Sequence, residues 1–128
     1  MGSIRKEIAL PKPAAEVWDA VRDYGAPHKR LAPGVLTDSR IDGDARVVTF
    51  ANGLVLRERI IVVDDVERRL VWAAVGGALD HHNGAMQVFA ENGTCRLVWT
   101  TDYLPDSHGS VVGGLMEQAL QAVRRTLG

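Results

Sequence analysis

The sequence predicts an α+β fold in which a curved antiparallel sheet of seven strands is covered on one face by a long C-terminal helix. Three observations predict it. Ser110–Leu127 repeats at helical spacing. Val111, Val112, Leu115, Met116, Ala119, Leu120 and Val123 share one half of the wheel, and Glu117, Gln118, Gln121, Arg124 and Arg125 the other. From Val35 to Leu104 the period becomes two. Short turn signals cut that run, Asn52-Gly53 the strongest of them, and join consecutive strands as antiparallel neighbours. A helix of that length reaches about 27 Å, roughly the width of a small domain, so it can cover one sheet face.

In chain order, Ile4–Leu10 alternates as a half-buried strand, with Lys6 breaking the apolar face. Pro11 and Pro13 end it, and Pro13 suits the start of a helix. Ala14–Tyr24 places Val17, Trp18 and Val21 on one helical face, and Gly25 and Pro27 stop it. His28–Gly34 reads as one helical turn or a loop. Strands follow at Val35–Ile41, Arg46–Ala51, Leu54–Val63, Leu70–Val75, Gly84–Ala90 and Arg96–Leu104. Gly113 and Gly114 sit early in the terminal helix, tolerated there if that half runs past a cavity mouth.

The chain has 128 residues, 46% of them hydrophobic, which suits one globular domain spanning residues 1–128 with a substantial core. A net charge of −1 gives no electrostatic case for nucleic acid or an anionic membrane. The single cysteine, Cys95, precludes an internal disulfide. No apolar run reaches the length of a membrane span and no signal peptide is visible, so the expected location is cytoplasmic. The expected assembly is a monomer or weak homodimer. Asn92-Gly93-Thr94 reads as a turn rather than a glycosylation site.

Pro13-Ala14-Ala15-Glu16-Val17-Trp18, then Leu56-Arg57-Glu58-Arg59-Ile60 with Asp64-Asp65, Trp99 four residues before Tyr103, and the terminal helix together carry a family resemblance. In this order they resemble the START-like (SRPBCC) superfamily, and within it the bacterial polyketide cyclase/dehydrase-like members. The resemblance covers essentially the whole chain. It implies the helix-grip fold, a seven-stranded sheet curled around the terminal helix with an apolar cavity between. Glu58 to Gly77 also looks like the plant abscisic-acid receptors. Asn52-Gly53 stands where those have a longer gate loop, and Pro33 falls in the region of their ligand-binding lysine, so hormone binding is not carried over.

Strand parity selects the residues that face such a space. Arg57 and Arg59 should face water, which turns Glu58 inward with Leu54, Leu56, Ile60 and Val62. Phe50, Trp72, Ala74, Met86, Val88, Trp99, Thr101 and Tyr103 share that face on neighbouring strands, and Val112, Met116 and Ala119 meet them from the helix. An unpaired ionised carboxylate is costly to bury, so Glu58 should be neutral, paired or hydrogen-bonded, to Thr101, Tyr103, Lys6 or Arg46 among others. On this reading Glu58→Leu would relieve a desolvation cost in the empty protein.

The expected function is binding of a small hydrophobic molecule. Alternatives are a cyclase, dehydratase or isomerase using Glu58 as acid/base, with Tyr103 or a loop histidine, and a lipid-chaperone or partner-binding module. Gly76–Gly84 reads as a loop over the cavity mouth, hinged at Gly76, Gly77 and Gly84, with Asp80, His81 and His82 available to a ligand. No metal is expected, because adjacent strand histidines diverge and no helical i, i+4 pair exists. No cofactor and no nucleophile–base set is expected either, Cys95 having no evident histidine partner.

Overall fold

The computed structural model describes residues 1–128. Strand β1 (Gly2–Leu10) is followed by helix α1 (Ala14–Arg22) and a single turn, α2 (Pro27–Arg30). Then come β2 (Leu36–Asp42), β3 (Ala45–Phe50), β4 (Val55–Asp64), β5 (Arg69–Val75), β6 (His81–Glu91) and β7 (Thr94–Leu104). A 3₁₀ turn at Asp106–His108 leads into α3 (Gly109–Leu127). The seven strands form one antiparallel sheet in the order β1-β7-β6-β5-β4-β3-β2. This is the helix-grip arrangement expected from the sequence.

An extra residue in β2, Thr37, and another in β4, Ile61, break the ladders there. Such bulges bend strands and raise their twist, which curls the sheet towards α3. The β3–β4 connection decides the register that matters most. Phe50 N–H bonds the Leu54 carbonyl across a three-residue loop, with Gly53 at φ +91. That puts Arg46 opposite Glu58; a two-residue Asn52-Gly53 turn would have put Val47 there.

Helix α1 closes one end of the sheet. Val17 and Val21 are fully buried, and Trp18 donates its indole N–H to Asp65 Oδ1 at 2.9 Å. Arg22 Nε bonds the same oxygen at 2.8 Å, so the β4–β5 turn pins the helix. Asp64 caps that turn through the Val66 and Glu67 amides. α1 ends at Arg22, two residues short of the expected Tyr24, as Tyr24 N–H turns back onto the Arg22 carbonyl.

Three expectations need correction. β6 begins at His81, three residues before the expected Gly84, so only Gly76 to Asp80 forms the loop. Gly84 is no hinge. It lies opposite Trp72, whose indole occupies the space a Cβ would take. In α3, Gly113 packs against Ile4 rather than the cavity, and a Cβ on Gly114 would meet nothing. Val111, expected on the apolar face, is 58% exposed.

The larger core gathers Leu10, Val17, Trp18, Leu97, Leu120 and Val123 beneath α1; a smaller one joins Tyr103, Val112 and Met116 at the other end. Leu120→Ala should cost about 2–4 kcal/mol through cavity formation, and Val123→Ala less, because Val123 already borders empty space. Denaturation midpoints unmoved by Leu120→Ala would show that this face of α3 is not packed.

Candidate functional site

A cavity of about 260 Å³ lies between the concave face and α3, and its wall is mostly apolar. Eleven of the residues selected by parity line it: Phe50, Leu54, Leu56, Glu58, Trp72, Ala74, Met86 and Trp99 from the sheet, and Val112, Met116 and Ala119 from the helix. Trp72 and Trp99 stand together as one wall, ring centroids 6.0 Å apart and tilted by 54°. Five others, Ile60 and Val62 on β4 among them, do not reach the wall. Val88 lies further along β6, in the core beneath α1. Tyr103 turns into the smaller core, its ring filling the places that Cβ atoms on Gly2 and Gly109 would occupy. Thr101 is enclosed, and its hydroxyl has no partner.

Glu58 faces inward at 7% exposure, as parity requires, and Arg57 and Arg59 pair outside with Asp42 and Asp44. Its partner is Arg46, itself 5% exposed, which donates from Nε to Glu58 Oε1 at 2.8 Å. The guanidinium also donates from Nη1 to the Tyr24 carbonyl at 3.3 Å and lies over the Trp72 ring, 5.1 Å from its centroid. Neither Thr101 nor Tyr103 bonds the carboxylate, and Lys6 pairs instead with Glu117 on α3 at 3.3 Å. The pairing changes what Glu58→Leu would do: the desolvation cost it removes is outweighed by the Arg46 charge it strands in the interior.

Arg46 is one cavity residue the sequence reading left among several candidate partners; the cross-strand position opposite Glu58 identifies it. His82 is another. It lines the cavity from the start of β6, and its Nδ1 is enclosed without a partner. Burial pushes the imidazole below its usual range, more than the nearby Glu58 and Asp102 charges lift it, and His81 lowers it further. His81 points to the opposite face and pairs with Asp102. Leu79, Val111 and His108 line the cavity as well.

A family model described as polyketide cyclase / dehydrase and lipid transport matches residues 1–128. No curated protein matches the sequence. Among solved structures, a protein from Thermobifida fusca superposes with a TM-score of 0.80 at 27% identity, over 97% of this chain and 91% of that one. Norcoclaurine synthase from Thalictrum flavum, solved with dopamine and hydroxybenzaldehyde, gives 0.67 at 19% identity over 93% and 83%. The di-domain ARO/CYC protein BexL of the BE-7585A biosynthetic pathway gives 0.79 at 18% identity, over 98% of this chain and 46% of that one.

Two predictions come from these side chains. Glu58→Leu should cost about 3–5 kcal/mol by leaving Arg46 buried and alone, and the Arg46→Met/Glu58→Leu double variant should recover most of it. Chemical denaturation of the wild type, Glu58→Leu, Arg46→Met and the double variant checks this; additive losses would mean the two charges do not depend on each other. The second concerns pH. Folding lowers the proton affinity of His82, so stability rises with pH and is lost as pH falls through the unfolded value. Between about pH 7.5 and 5.5 the melting temperature should fall, and fall less in His82→Phe. Equal slopes would remove His82 from the titration.

Proposed function

The chain belongs to the polyketide cyclase / dehydrase and lipid transport family, and on that premise we propose that it binds a small hydrophobic molecule between the sheet and α3. The observation that carries this reading is the cavity itself: mostly apolar, walled by two tryptophans, and holding a buried ion pair and few other polar groups. Small-molecule sites have this composition, and about 260 Å³ lies just below their usual range of about 300–1,000 Å³. A compact ligand fits it better than a long acyl chain.

Catalysis of the cyclase, dehydratase or isomerase kind is the second reading. The family description favours it, as do an enzyme and an ARO/CYC protein among the fold neighbours. Within the cavity, Glu58 is committed to Arg46 through one oxygen, which suits it to accept a hydrogen bond from a ligand rather than to give up a proton. His82 stays neutral because burial lowers its proton affinity, and it meets the cavity as a hydrogen-bonding group rather than as a charged one.

Titration with the neutral fluorophore N-phenylnaphthylamine tests the binding reading. Its emission should rise on binding and be lost in Ala119→Trp, which fills the cavity from α3; Met116→Trp provides an independent filling variant. Native mass spectrometry of protein from its own host should reveal a co-purified small molecule. No fluorescence response, with no adduct, would overturn the proposal.

A further inference from the structure

We propose that the gap between Glu58 and His82 is a hydroxyl-recognising subsite, and that the ligands are neutral hydroxylated aromatic molecules rather than carboxylates. This deepens the binding reading above and rests on it.

The sheet register builds the gap. Glu58 on β4 lies opposite Ala74 on β5, and the β5–β6 ladder that pairs Ala73 with Asn83 brings His82 beside Ala74. The Glu58 and His82 backbones are therefore two strand spacings apart, roughly 10 Å. All three side chains line the cavity, and the one in the middle is a methyl group. Two polar groups thus face each other across a floor that only a small residue leaves open.

The two groups ask for different halves of a hydrogen bond. Glu58 Oε1 takes the Arg46 bond, while Oε2 receives none from the protein and is free to accept. On His82, Nδ1 is enclosed with no partner, so the edge that the cavity meets is Nε2. A buried lone pair is tolerated better than a buried orphan N–H, which places the proton of the neutral ring on Nε2. The burial that depresses His82 keeps the ring neutral. A group between them must donate to Glu58 and accept from His82, and a hydroxyl does both.

Charge balance decides against acids. The Arg46 charge is already matched by Glu58, and Lys6 is held by Glu117 on α3. No arginine or lysine in the cavity is left to neutralise a carboxylate, and the open Glu58 oxygen would repel one. Trp72 and Trp99 supply flat apolar surface for the rest of the molecule.

Displacement of N-phenylnaphthylamine by β-naphthol, naphthalene and β-naphthoate at neutral pH tests the subsite. β-Naphthol should bind about tenfold tighter than naphthalene, the worth of one hydrogen bond to a charged acceptor, and β-naphthoate weaker than either. In His82→Phe the β-naphthol advantage over naphthalene, both measured in that variant, should shrink to about threefold or less. Ala74→Val should remove that advantage by closing the gap. Equal affinity for β-naphthol and naphthalene, a preference for β-naphthoate, or an unchanged advantage in His82→Phe would overturn the subsite and leave the cavity reading intact. No displacement by any probe, and no fluorophore binding, would overturn both.

Discussion

The buried pair of Arg46 and Glu58 is the interaction on which the site depends. Two charges are taken from water at the centre of the concave face, and each is tolerable only because the other is there. The pair fixes three further things at once. It holds the β3–β4 register at the place where the ladder meets the cavity. It ties the end of α1 to the sheet through the Tyr24 carbonyl. It lays a cation over Trp72, which orients the largest apolar wall of the cavity. Gly84 cooperates from the other side by leaving that indole room to lie across β6.

The fold was legible because period and punctuation agree. Alternation with Asn52-Gly53, Asp64-Asp65 and Asn92-Gly93 marks the strands, and the Val112–Val123 stripe marks the helix that covers them. The inward turn of Glu58 was legible too, since a one-residue slip would have buried Arg57 and Arg59. Its partner was not singled out, because that depends on whether the hairpin loop has two residues or three. Gly53 permits both, and only the folded chain chooses.

The remaining misreadings share one cause. Parity tells which face a residue occupies, not which neighbour covers that face at its height along the strand. Val88 and Trp72 have the same orientation, but α1 covers the first and the cavity opens over the second. Tyr103 is inward and yet spent on two glycines, Gly2 and Gly109, whose lack of a side chain draws the ring away from the cavity. His81 and His82 looked like loop residues because Gly77 to Gly84 lacks strand formers. Pairing with Leu104 and Tyr103 on β7 overrides that local preference.

Why the space stays open follows from where bulk is missing. At the α1 end, Trp18, Leu97 and Leu120 fill the distance between helix and sheet. At the other end the facing positions carry Ala74, Gly76, Ala78 and Ala119, too small to meet across it. A void bordered by alkyl groups alone would stay dry and indifferent to what enters. Here its floor carries a carboxylate that cannot be removed without stranding an arginine, so the polar feature that a ligand meets is also a condition of the fold. On the proposed binding reading, affinity would be tuned at Ala74, His82 or Ala119 without disturbing the pair, and specificity would reside in the residues that flank Glu58 more than in Glu58 itself.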